Sequence, residues 1–262
     1  MIETTEIVIE RVAATRGSGE ALVSLAALAV EKLSPPVGEI GGVIAATFSN
    51  PDRFPSLAVR VAAQLGLPTG TPAFDVQMAC SAYPYAVYLA GKLSADTGKR
   101  VVVVNGDVQS RLVDCNDHAT GDIFSDAATA SLVSTGDGAP SRFGFLSRLD
   151  DALVCPESGP IRMDGMRVFT FVATEVAGFL RGFGNDFDWF VPHQANPYMI
   201  RQLAKTLGLA DKLLTIDPSV KNPGSCSVPL TLAEREVRGR ALIAGFGAGL
   251  SAAAAVVTVR PQ

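Results

Sequence analysis

Two stretches of this chain repeat one another at a fixed distance, and that repeat narrows the fold more than any other feature. Asn50-Pro51 leads through Arg60, Gln64-Leu65-Gly66-Leu67 and Phe74-Asp75 to Cys80. Asn196-Pro197 leads through Arg201, Thr206-Leu207-Gly208-Leu209 and Ile216-Asp217 to Asn222. Gly66 and Gly208, Asp75 and Asp217, and Cys80 and Asn222 each differ by 142 positions, the distance from 66 to 208, from 75 to 217 and from 80 to 222. The order of apolar and turn segments around them matches as well, so the chain reads as a duplicated unit. Cys80 and Asn222 then hold equivalent strand-to-helix turns and can face each other across a pseudo-twofold axis.

The segments between these landmarks alternate between strand and helix patterns, which indicates an α/β fold with mostly parallel strands. Strands are expected at 6–13, 42–46, 101–104, 127–133, 143–149, 188–191, 213–216, 241–246 and 252–259. Helices are expected at 17–33 (with Ser18 as cap), 57–65, 168–183, 197–207 and 225–237, and the residues after Cys80 as far as Lys92 form another. The four-valine run at 101–104 suits a strand covered on both faces. A Gly/Ser-rich stretch, 134–141, reads as a linker that divides the chain into halves 1–138 and 139–262.

Composition removes several functional classes. The chain has 262 residues and a formal net charge of -4, and it contains no Lys/Arg run that would track phosphates, so nucleic acid is not expected as a partner. The most apolar runs, 21–30 and 241–259, are too short or too broken by glycine to cross a bilayer, and no membrane insertion is expected. The first residues show no basic stretch leading into an apolar core, as a signal peptide would. The four cysteines lack CxxC pairing. Together these point to a reducing cytoplasmic setting. With only two histidines and no HxH or HExxH, no metal site is expected. No GxGxxG or GxxxxGK[ST] supports a nucleotide cofactor.

Cys80 follows a short apolar strand and precedes a helix, where free N–H groups and the macrodipole favour a thiolate. The ordinary alternative is a buried cysteine acting as a small core hydrophobe, and position alone leaves both open. His193, in Trp189-Phe190-Val191-Pro192-His193-Gln194-Ala195-Asn196, stands at a strand's C-terminal end, where open α/β sheets place ligands. The other histidine, His118, lies in a polar loop and reads as solvated. Asn222 precedes a proline and is an ordinary turn former, yet its amide can also donate to a developing oxyanion without adding charge. Gly245-Phe246-Gly247-Ala248-Gly249 lets backbone pass close to a ligand or simply packs tightly between strands.

Taken together, these stretches resemble the 3-oxoacyl-ACP synthase III (KAS III) family of the thiolase superfamily. The likeness rests on Asp75 with Ala79-Cys80-Ser81-Ala82, on Val191-Pro192-His193-Gln194-Ala195-Asn196, and on Asn222-Pro223-Gly224-Ser225 with Ser227-Val228-Pro229. Weaker support comes from Phe124-Ser125-Asp126-Ala127-Ala128 and from the turn at Phe246–Gly249. The resemblance implies a thiolase-like fold of two pseudo-equivalent βαβαβαββ halves in a layered α-β-α-β-α arrangement. It implies a Cys-His-Asn site in which Cys80 carries an acyl group while His193 and Asn222 stabilise an enolate. The backbone N–H groups of Cys80, Gly247 and Ala248 would form the oxyanion hole, with Ser81, Gln194, Asn196, Ser225 and Phe246 near substrate. Substrates would be acyl-CoA or acyl carrier protein (acyl-ACP) thioesters, with no further cofactor.

Departures from the family pattern accompany the likeness. The segment between first strand and first helix is very short here, as is 150–160, and both help to wall the substrate in relatives. Ala248 replaces a glycine. A decarboxylative Claisen condensation, in a specialised lipid or secondary-metabolite pathway, is the expected activity. Acyl transfer to a small acceptor, or a structural subunit forming a heterodimer with a full-length KAS III homologue, are the alternatives. By likeness to the family a homodimer is expected, with residues 101–104 near the edge strand that joins the copies.

Overall fold

The computed structural model describes residues 1–17, 19–217 and 219–260. In chain order its elements are β1 (Ile2–Gly17), α1 (Leu22–Leu33), β2 (Ile40–Ala46), α2 (Leu57–Gln64), β3 (Ala73–Val76), α3 (Ala82–Thr97), β4 (Arg100–Asp107) and β5 (Asp126–Ser147). The remainder comprises β6 (Leu153–Val154), β7 (Arg162–Met163), α4 (Gly165–Phe171), α5 (Ala177–Arg181), β8 (Trp189–Pro192), α6 (Pro197–Leu207), α7 (Ser227–Glu234), β9 (Gly239–Gly247) and β10 (Ser251–Val259).

The pairings repeat the duplication seen in the sequence. In the first half, β3 and β4 flank β2 in parallel, β5 runs antiparallel to β4, and β1 is antiparallel to β5. In the second, β8 is parallel to β9, β10 is antiparallel to β9, and the far end of β5 is antiparallel to β10. A single bridge from Leu213 to Phe190 stands where β3 stands in the first half. The strands join in one order, β3-β2-β4-β5-β1-β10-β9-β8.

Alternation along the strands sets the layers. Ile44, Val101 and Val103 face one core with α3 and α7, whereas Val43, Ala45, Val102 and Val104 face another with α1 and α2. Ile243, Ala255 and Val257 join the α3/α7 core from the second half, while Leu242, Ala254 and Val256 pack against α4, α5 and α6. Helices α3 and α7 thus form the middle layer, and the order is α-β-α-β-α. The fold is thiolase-like, as expected.

Local signals explain most element ends. Gly66 and Gly208, the repeated glycines, both adopt left-handed φ (+65 and +70) just after α2 and α6, which a side chain would resist. Asp75, also repeated, caps α2: its carboxylate accepts from Leu57 N–H at 2.9 Å and Ala58 N–H at 2.8 Å.

Several expectations need correction. The stretch 134–141 is no linker; it lies inside β5, because β1 extends to Ile2 and supplies a partner for Thr135, Gly136 and Ser141. Pairing at its two ends overrides the Gly/Ser composition, while the register shifts across 137–140. Residues 213–216 form only one bridge. Helix α1 begins at Leu22, since Gly17 still pairs with Asp126; the expected cap Ser18 lies outside the described residues. The run 101–104 is not near an edge: β4 lies between β2 and β5, and β3 is the edge strand of the first half.

Candidate active site

Strand β3 stops at Val76, and the chain turns through Ala79–Ser81 before α3 begins. Ala79 sits at φ +42, a left-handed conformation that costs a side-chain-bearing residue roughly 1–2 kcal/mol. Ser81 Oγ donates to Met78 O at 2.8 Å, and Ser251 Oγ lies 2.8 Å from Ser81 Oγ and 2.7 Å from Ala248 O. Two hydroxyl protons shared among these contacts tie the Cys80 turn to the turn after β9. A Cβ on Gly245 would stand 2.6 Å from Cys80 O, and one on Gly247 3.3 Å from Cys80 Sγ. Strand β9 reaches the thiol because both positions lack side chains.

His193 follows β8 directly, and its N–H donates to Ala244 O at 2.6 Å. Its ring stands edge-on to Phe246, with centroids 5.4 Å apart. His193 Nδ1 is buried without a hydrogen-bond partner, which leaves Nε2 to meet a ligand. Asn222 is fixed on both sides of its backbone: its N–H donates to Ile123 O at 2.9 Å, and its carbonyl accepts from Ser125 N–H at 3.0 Å. Its Oδ1 accepts from Gly224 N–H at 3.0 Å, so the side-chain group left to offer is the NH₂ donor.

Burial dominates the titration of this site. The Cys80 thiol is pushed up from its ordinary 9.0 to about 12, first by burial and then by the Asp107 charge. That rise corresponds to roughly 4 kcal/mol, against at most ~2 kcal/mol from a helix terminus. The thiolate expected from the helix position is therefore overruled, and the resting thiol is neutral. Burial also holds His193 down to about 3, so the imidazole is neutral too.

Cys80, His193 and Asn222 line one cavity of about 490 Å³, together with Phe246, Gly247 and Asn196. Cys80 also lines a second cavity, about 310 Å³, with Phe48, Met78, Ile161 and Ala248. Two apolar chambers thus meet at one thiol, and only the larger holds the histidine and the asparagine.

A family model described as 3-oxoacyl-[acyl-carrier-protein (ACP)] synthase III matches residues 74–148, and the model of its C-terminal part matches residues 184–259. The chain belongs to the 3-oxoacyl-ACP synthase III family. Among its relatives, the beta-ketoacyl-ACP synthase III of Sphingopyxis alaskensis is 35% identical over 88% of this chain and 80% of that protein. The solved synthase III of Thermus thermophilus is 29% identical with a TM-score of 0.82, covering 94% of this chain and 87% of that one. The synthase III of Pseudomonas aeruginosa shares the fold at a TM-score of 0.88 and 23% identity, covering 98% and 99% of the two chains. Synthase III proteins are condensing acyltransferases, and this chain takes its place among them.

Some of the expected substrate contacts lie outside the two cavities that Cys80 lines. Ser81 and Ser225 line neither cavity with Cys80; Ser225 Oγ donates to Asp107 Oδ2 at 2.5 Å. Gln194 donates to Pro192 O at 2.7 Å and lines a separate cleft. Asn196 and Phe246 do line the larger cavity, although Asn196 also caps α6 by accepting from Tyr198 N–H at 2.8 Å. His118 is an exposed loop residue.

Sequence reasoning passed over Asn105, Asp107 and Gln109, all buried against the Asn222 turn. The signal was available: polar residues closing an otherwise apolar strand, the same pattern that singled out His193. Among the described residues no group of His, Cys, Asp or Glu is arranged to hold a metal ion, and no helix is long and apolar enough to cross a membrane.

Proposed function

We propose that this chain accepts an acyl group on Cys80 and condenses it with a malonyl-type thioester, releasing carbon dioxide. The carrying observation is the division of the site: Cys80 faces both cavities, whereas His193 and Asn222 face only the larger. The acyl chain then occupies the smaller, mostly apolar cavity, and the malonyl thioester enters the larger.

In the first step the Cys80 sulfur attacks an acyl thioester and the carbon–sulfur bond to CoA or carrier protein breaks. A separated thiolate–imidazolium pair is not the resting state, given pKa values of about 12 and about 3. The thiol proton therefore leaves as the new bond forms and ends on the departing thiol. In the second step the malonyl carboxylate leaves as carbon dioxide and its bonding electron pair becomes the enolate. Neutral donors, the Asn222 amide and the His193 imidazole, hydrogen-bond the enolate oxygen. The enolate carbon attacks the acyl-Cys80 carbonyl, whose oxyanion meets the N–H groups of Cys80 and of Gly247 or Ala248. Collapse expels the Cys80 sulfur as a thiolate, which takes up from solvent the one proton that the overall reaction consumes.

The halves 1–138 and 139–262 divide this work: the first carries the nucleophile, the second the enolate donors. The partners are acyl-CoA or acyl carrier protein and a second copy of the chain. Support for the second copy comes from the edge strand β3, which carries the exposed Phe74, and from the exposed Val59 on α2, which packs against β3. Incubation with an acyl-CoA and malonyl-CoA or malonyl carrier protein tests the proposal. A 3-oxoacyl thioester with matching carbon dioxide is expected; acyl transfer without carbon dioxide would overturn the decarboxylative step.

A further inference from the structure

Strands β4 and β9 hold the same place in the two halves, each beside the antiparallel strand of its own half. Each also ends against the site turn of the opposite half. Strand β9 does so through absent side chains, at Gly245 and Gly247. Strand β4 does so through side chains. Asn105 Nδ2 donates to Ser225 O at 3.2 Å. Asp107 Oδ2 accepts from Ser225 N–H at 3.0 Å and from Ser225 Oγ at 2.5 Å. Its other oxygen accepts from Phe48 N–H at 3.0 Å and Thr47 Oγ1 at 3.3 Å, which anchors the carboxylate to the end of β2. Gly224 completes the fit: it has φ +59, and a Cβ there would fall 2.9 Å from Asp107 Oδ2. The turn gripped in this way begins at Asn222, whose Oδ1 accepts from Gly224 N–H.

We propose that Asp107 is a positioning residue for Asn222, its carboxylate holding Ser225 by both N–H and hydroxyl so that the Asn222 amide faces the Cys80 cavity. The inference rests on the reading of Asn222 as an enolate donor. A carboxylate is the group that fits: four donors converge on it, and an amide would turn its own NH₂ towards some of them. The Cys80 turn is held separately, by Ser81, Ser251, Gly245 and Gly247. Loss of Asp107 should therefore injure decarboxylation and spare acylation. Its charge is, moreover, one of the two causes of the high Cys80 pKa, so its removal does not hinder attack by sulfur.

The test compares Asp107→Asn, Ser225→Ala, Asn222→Ala and the double variant Asp107→Asn/Asn222→Ala. Malonyl-CoA is the probe for decarboxylation, read as labelled carbon dioxide, and acetyl-CoA and octanoyl-CoA are the probes for acylation, read by intact mass at Cys80. Asp107→Asn and Ser225→Ala are expected to lower carbon dioxide release roughly ten- to hundred-fold, with acylation within about two-fold of the parent protein. In the double variant Asp107→Asn should add nothing to Asn222→Ala, since both act through one amide. Parallel loss of acylation, or losses that multiply, would overturn the proposal. Ser225→Ala removes a single hydroxyl and carries the same test should Asp107→Asn fail to fold. Wild-type decarboxylation by Asn222→Ala would instead remove the underlying reading, and this proposal with it.

Discussion

Cys80 and His193 keep their neutral forms across ordinary pH because burial drives one pKa up to about 12 and the other down to about 3. This has a stability consequence. An unfolded histidine takes up a proton near 6.5, whereas folded His193 does so only near 3. Between those values the unfolded chain binds more protons, so stability falls as pH drops through the window. Asp107 works in the opposite sense: its pKa is raised from 3.8 to about 6, chiefly by burial, so its contribution is lost as pH rises through that range. In His193→Gln, about 1.6 kcal/mol of the loss between pH ~6.5 and ~5 should vanish, as read from urea midpoints at the two pH values. An unchanged pH slope would contradict the buried neutral imidazole. Gly247→Ala should slow acylation at least ten-fold with modest loss of stability, because the added Cβ meets Cys80 Cβ at 3.0 Å. Stopped-flow acylation and thermal melts separate the two effects. At this scale Cys80, His193 and Asn222 were legible because strand ends and a constant offset mark them. Ser81, Gln194 and Ser225 lie outside the cavities at Cys80, because a neighbour in sequence need not point into the same space.

Element identities came largely from hydrophobic period, and failures came where long-range pairing decided the outcome. The valine run at 101–104 signalled a strand covered on both faces, which β4 is. Nothing local marks 134–141 as strand; it becomes one because β1 lies alongside. Edge position is likewise invisible in a single segment, and the edge falls to β3 rather than β4. If β3 joins two copies, a charge there should separate them. Phe74→Lys is expected to convert a dimer into a monomer at micromolar concentration, by size exclusion with light scattering. A monomeric parent protein would rule out this interface.

Over the whole molecule, each half braces the other half's site turn: β9 closes on Cys80, and β4 grips Ser225. Strand β5 runs through both halves, with an irregularity at 137–140 where its register against β1 shifts. Such sharing predicts one cooperative unfolding transition, with fluorescence and circular dichroism coinciding, and it predicts that residues 1–138 do not fold alone. Two separated transitions would mean that the halves are independent. The duplication itself was legible, since three residue pairs at one offset survived in the sequence. The bracing was not, because it depends on which strand ends meet across the pseudo-twofold axis.

The role of Cys80 as the acyl carrier is tested most directly by intact-mass spectrometry after incubation with acyl-CoA and acyl carrier protein series. One acyl adduct is predicted, mapped to Cys80 after digestion and missing from Cys80→Ala. No adduct from any thioester, or an adduct that persists in Cys80→Ala, would contradict the account.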